Sequence, residues 1–157
     1  MLFRSSEQFV QTRITEGENL KKDLLLKLDN MEKDVDFIET RSPEIMKEYR
    51  SKLENKVKEL LGDTTIDESR IATEVIIYAD KICVDEETVR LRSHIAHARQ
   101  CLSQDGGIGR KMDFIAQEMN REANTILSKA NDIDISNHAI DLKTEIEKVR
   151  EQIQNIE

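Results

Sequence analysis

The stretch Gln117–Asp132, QEMNREANTILSKAND, has helical spacing but an unusual wet face. It carries Gln117, Asn120, Asn124 and Asn131 among five charged side chains. Asn and Ser compete for backbone hydrogen bonds, so an ordinary solvated helix uses Glu, Lys and Gln instead. Glu118 and Glu122 stand one turn apart and could share a divalent ion, Mn2+ or Mg2+. Arg121 and Lys129 could hold phosphate oxygens. Gln117, Asn120, Asn124 and Ser128 could meet sugar or base edges, and Arg110 and Lys111 add phosphate contacts at the start of the same helix. The competing reading is a polar face packed on a second helix and satisfied by hydrogen bonds. A Glu pair at this spacing is common and does not choose between them.

A second cluster lies in ADKICVDEETVRLRSHIAHARQC, from Ala79 to Cys101. Glu87 and His94 are seven residues apart and share a face, with Arg90 between them. Either could take a proton as general base, and Arg121 could stabilise charge developing on a phosphate. His97 and Cys101 align with His94, but three residues on one straight helix rarely converge on a zinc ion. There is no phosphate-binding Gly loop, because GGIG lacks the following Lys and Ser or Thr. There is no nucleophile elbow and no E-x-x-H pair of di-iron bundles.

Helices must carry these residues. The 157 residues are 38% hydrophobic and 36% charged, with 5 Gly, 1 Pro and no Trp. Loops are therefore few and elements long. From about Arg4 to Arg41, Val10, Ile14, Leu24, Leu28, Met31, Val35 and Ile38 follow a seven-residue seam, interrupted at Gly17 and Lys21. Ser42-Pro43 predicts a break, and Met46, Tyr49, Leu53, Val57 and Leu60 a second helix to about Leu61. The expected architecture is all-α: a long antiparallel, coiled-coil-like hairpin over residues 1–66 attached to a small helical bundle over 67–157. Asp67 and Asp85 are candidate caps for the next two helices. Ile71, Val75 and Tyr78 are expected to pack on Met112, Ile115 and Met119. SQDGGIG, from Ser103 to Gly109, is a loop. Leu142, Ile146, Val149, Ile153 and Ile156 form a closing seam.

The net charge of -8 opposes non-specific nucleic-acid binding. Any such role rests on a local basic patch, on metal, or on another part of the protein. No apolar run is long enough to span a bilayer, so no membrane partner is expected. The absence of an apolar leader and two isolated cysteines, Cys83 and Cys101, point to a cytoplasmic location.

At these same residues the sequence resembles a known family. GRKMDFIAQEMNREANTILSKANDIDIS…LKTEIEKVREQIQNIE is similar to the C-terminal end of the YicC/YloC family of bacterial endoribonucleases. DESRIATEVIIYADKICVDEETVRLRSHI resembles the family's middle block, and FVQTRITEGENLKKDL the segment opening its helical half. Leu127 departs from an expected small residue, and KICVDEE varies the usual K-x-D-I-x-E-E. The resemblance implies an N-terminal domain ahead of this chain, divalent-metal-dependent RNA cleavage, and ring-like homo-oligomers enclosing RNA, a hexamer among the candidates. The segment alone is then expected to be a weak or inactive nuclease. The rival expectation is a non-catalytic helical oligomerisation module or RNA-regulatory adaptor.

Overall fold

The computed structural model describes residues 2–62, 67–104 and 106–155. It is all-α, with five helices among the described residues: α1 (Leu2–Leu61), α2 (Glu68–Ile82), α3 (Asp85–Leu102), α4 (Gly109–Lys129) and α5 (Ile133–Gln154). None is long and apolar enough to cross a membrane. Ile156, assigned to the closing seam, lies outside the described residues.

The expected hairpin at Ser42-Pro43 does not form. Helix α1 runs unbroken through Pro43 for 60 residues, roughly 90 Å at the usual rise. Pro43 removes one backbone donor, a defect that normally kinks or ends a helix. Here the surroundings keep the chain helical across it. Ile38 and Ile45, on either side, are both buried in the same core. The Arg41 guanidinium reaches past the proline to Glu44 at 3.2 Å and Glu48 at 2.8 Å, and across to Asp132 at 3.1 Å. The Ser42 hydroxyl donates to the Ile38 carbonyl at 2.8 Å. The chain turns back after Leu61 instead, and α2 packs on the far part of α1 through the stacked rings of Tyr49 and Tyr78, 3.8 Å apart. So α2 meets α1 and not the expected Met112–Met119 face, which α3 and α5 cover.

The central part of α1 joins α3, α4 and α5 in a four-helix ring, with α1 between α3 and α5 and α4 diagonally opposite. Cross-helix pairs fix the directions. Arg92 meets Asp36 while Arg99 meets Asp29, and Asp34 meets His138 while Asp23 meets Gln152. Both sets of pairs run antiparallel to α1, giving an up-down bundle. One core runs from Leu24 to Ile153, so the unit drawn at 1–66 shares its interior with the rest. Leu24, Leu28, Met31, Val35 and Ile38 are all 0% exposed, as their seam requires. Val10 and Ile14 continue that seam but stay about half exposed, because the partner helices are too short to reach them.

Asp67 caps α2 by accepting from Ser69 N–H at 3.1 Å. Asp85 does not cap α3. It lies within the first turn, and Val84 holds the cap position. Gly106 and Gly107 take positive φ of 77° and 58° in the α3–α4 turn, a conformation open to Gly at no steric cost.

Candidate functional site at the α3/α4 seam

Helix α4 buries Met112, Ile115, Met119, Ala123 and Ile126 at steps of three or four, which docks it against α3 and α5. Residues beside that stripe are carried into the edge of the α3 seam: Glu118 and Thr125 half-buried, Glu122 buried at 7% exposure. The next stripe outward, Gln117, Arg121, Asn124 and Ser128, faces solvent. On α3, Leu91, Ile95 and Ala98 enter the core, and Glu87 follows them to 3% exposure.

Four of the candidate residues meet at this seam. Arg90 Nε donates to Glu122 Oε1 at 2.8 Å. Lys129 Nζ donates to Glu87 Oε1 at 2.9 Å and to the Cys83 carbonyl at 3.1 Å. Arg90 also stands 3.8 Å from Glu87 Oε1 and 3.5 Å from Glu86. The hydrogen bond to Glu122 raises the pKa of Arg90, and that to Glu87 raises the pKa of Lys129, so both stay cationic. Glu87 Oε2 is buried and has no hydrogen-bond partner among the described residues. An unpaired buried carboxylate oxygen is costly. It marks the seam as a place where another group would be welcome.

His94 stands one turn along α3 from Arg90, and Glu118 one turn back along α4 from Glu122. The antiparallel register set by Arg90 and Glu122 therefore brings His94 and Glu118 to the same level. His94 is half-buried and has no hydrogen bond or ion pair among the described residues. Glu118 lies 4.0 Å from Arg121. Arg110 and Lys111 are exposed in the first turn of α4, about three turns from Arg121, and do not join this cluster. The amides divide. Gln117 donates to Asp113 at 3.0 Å, Asn131 to the Tyr78 hydroxyl at 3.1 Å, and Ser128 to the Thr125 carbonyl at 2.9 Å. Asn124 stays open to solvent, and Asn120 keeps a buried, unpartnered Oδ1.

A metal held by this chain alone needs carboxylates that converge with a third ligand. Glu122 is engaged by Arg90 and Glu118 faces Arg121. Among the described residues, the three His and acidic groups whose ligand atoms all fall within 4.8 Å of one another are Asp34, His138 and Asp141, on another seam. The α3/α4 residues as they stand do not make a caged metal centre.

A sequence model of the family described as "Endoribonuclease YicC-like, C-terminal" matches residues 38–157. The chain belongs to this family. It is 47% identical over 148 residues to the "Probable endoribonuclease YicC" of Clostridioides difficile, covering 94% of this chain and 50% of that protein. It is 36% identical over 149 residues to the protein of the same name from Haemophilus influenzae, covering 95% of this chain and 51% of that one. The chain thus spans about half the length of these YicC relatives. The match takes in the last part of α1 and all of α2, α3, α4 and α5, so the whole seam lies within the family domain.

The sequence brought Glu87, Arg90 and His94 to one face and Glu118, Glu122 and Lys129 to another. It did not pair the two faces. Nor did it find Asp113 with Arg150 at 3.3 Å, or the Asp34 and His138 pair. Those partners stand 37 and 104 residues apart, and no local spacing reports them.

Proposed function

We propose that this chain is the helical half of a cytoplasmic endoribonuclease, and that its α3/α4 seam contacts the RNA phosphodiester that is cleaved. The observation that carries the reading is the pair of buried carboxylates, Glu87 and Glu122, fixing two half-exposed cations beneath an open polar stripe. The YicC names of the relatives give the substrate class. Arg90 and Lys129, held in place, and Arg121, free to reach outward, would neutralise phosphate oxygens. Such fixed charge acts without reorganising when the transition state forms. Of the two candidate bases, His94 fits better, because Glu87 is buried and committed to Lys129. It would accept the proton of the attacking hydroxyl. Gln117, Asn124 and Ser128 would line the strand's path. The net charge of -8 leaves most of the RNA affinity to the other half of the protein.

Mn2+ or Mg2+ enters this proposal as an ion shared with RNA phosphate. Glu118 could meet it by turning away from Arg121, 4.0 Å distant, and Glu122 only by releasing Arg90 at 2.8 Å.

The test is cleavage of single-stranded RNA by the full-length protein, with Mn2+, with Mg2+ and with chelator. Glu118→Gln should weaken the metal response, and His94→Ala should lower kcat by roughly a hundredfold. Cleavage unchanged in both variants would move the reaction out of this seam.

A second reading, the non-catalytic assembly module, draws on a different observation. Phe9, Val10 and Ile14 are exposed on the free first part of α1, as are Leu60 and Leu61 at its end. An apolar stripe of this kind favours self-association. Under that reading the variants above leave RNA cleavage intact, while Ile14→Lys lowers the oligomeric mass in sedimentation.

A further inference from the structure

The α1/α5 seam lies opposite the α3/α4 seam across the bundle and holds a separate constellation. Asp34 comes from α1, His138 and Asp141 from α5. His138 Nδ1 is 3.0 Å from Asp34 Oδ1. One ligand atom from each of the three residues lies within 4.8 Å of the others. Ligands at about 2.0–2.2 Å from a single ion stand roughly 3–4 Å apart, so a small rotamer adjustment closes the group on a cation.

Three further observations favour a ligand over a plain hydrogen bond. The His138 ring is stacked on Phe37, with centroids 3.8 Å apart and planes 18° from parallel. The imidazole is therefore held in orientation before any ion arrives, the condition second-neighbour contacts usually provide at metal sites. His138 and Asp141 stand three residues apart on α5 and act as a chelating pair, while Asp34 supplies the cross-helix arm. Beside them a cleft of about 370 Å³, bordered by Asn30, Thr144 and Glu145, leaves room for water to complete the coordination.

The cleft brings together three carboxylates, Asp34, Asp141 and Glu145, against the two ammonium groups of Lys33 and Lys148. Asp141 has no ion-pair partner among the described residues, and Glu145 has only Lys148 at 3.6 Å. Lys33 borders the cleft without an ion pair. Burial raises the pKa of Asp34; the His138 hydrogen bond works against that shift, and Asp141 and Glu145 add to it. A dication would relieve this repulsion.

We propose that Asp34, His138 and Asp141 bind a divalent transition-metal ion that ties α1 to α5. One imidazole and two carboxylates with positions open to water suit Zn2+ or Mn2+ better than the all-oxygen sites of Ca2+ or Mg2+. The site is independent of the RNA reading, and its test needs no activity. The full-length protein carrying Cys83→Ser, which removes an exposed thiol that could also take zinc, is titrated calorimetrically with Zn2+ and with Mn2+. One equivalent should bind per chain, and saturating metal should raise Tm. Asp141→Asn is exposed and near-isosteric, so it should keep the fold and weaken binding at least tenfold, as should His138→Gln. Glu118→Gln should leave this binding unchanged. Mn2+ should broaden the ring NMR signals of Phe37 and His138 before those of other aromatic residues. Absence of binding overturns the proposal. So does unaltered affinity in Asp141→Asn and His138→Gln, or broadening centred elsewhere.

Discussion

Helix α3 presents basic side chains to both of its neighbours, and the two seams treat them differently. Towards α1, Arg92 meets Glu32, Asp36 and Glu39, and Arg99 meets Asp29 and Glu32. Every carboxylate there has a side chain at least 37% exposed. Towards α4, the acids are the buried partners: Glu87 and Glu122 side chains are 4% and 9% exposed, against 47% for Arg90 and 35% for Lys129. Exposed acids around a guanidinium make a screened staple of little worth. Buried acids pin the cations that face outward, and one buried oxygen is left over. That is an arrangement for presenting charge, and stability alone does not call for it.

The sharpest test of this contrast exchanges charge for amide on each seam. In the full-length protein, Glu122→Gln should lower RNA cleavage by about a hundredfold, the scale of losing one preorganised electrostatic group, with the helical circular dichroism unchanged. Glu39→Gln at the neighbouring α1/α3 seam should leave cleavage within about twofold. Equal losses from both variants would erase the distinction between the seams.

Next in size is the packing that both seams rest on. Met119 is fully buried beneath α3 and α5. Met119→Ala should cost about 2–4 kcal/mol in urea unfolding through the cavity it leaves. A cost below about 0.5 kcal/mol would mean that ion pairs, not the core, set the helix spacing.

Smaller still is the staple itself. Arg92→Ala should cost no more than about 1 kcal/mol, since its partners are solvated and salt-screened. The loss should shrink in 1 M NaCl. A loss above about 3 kcal/mol would show that this seam also hides its charge.

The smallest effect is one of pH. The Arg41 guanidinium beside Asp132, with the Ile135 N–H, holds that carboxyl below its usual 3.8. A carboxyl lowered in the folded state adds stability above its unfolded pKa, and that stability is lost as pH falls through the folded value. Asp132→Asn keeps the cap of α5 but removes this charge-dependent stability, so it should lower Tm slightly at pH 7 and flatten the decline below about pH 4, the two proteins converging in acid. An identical acid limb in both proteins would assign the decline to other carboxylates.

The sequence by itself determined the helices and their faces. The seven-residue step from Leu24 to Ile38 and the three-four step from Met112 to Ile126 mark sides that must leave water, because apolar area at helical period has nowhere else to go. It also placed Glu118, Glu122 and Lys129 on one side of α4 and Gln117, Arg121, Asn124 and Ser128 on the next. Tertiary structure decided three things. Pro43 is an interior residue of α1, because buried Ile38 and Ile45 and the Arg41 bridges outweigh one missing backbone bond. Val10 and Ile14 stay wet although they continue the seam, because a seam is buried only where a partner helix reaches it. Which carboxylate meets which cation was also settled there. A side chain's neighbours across a bundle depend on register and direction between helices, and residues 32 or 104 positions apart carry no local trace of either.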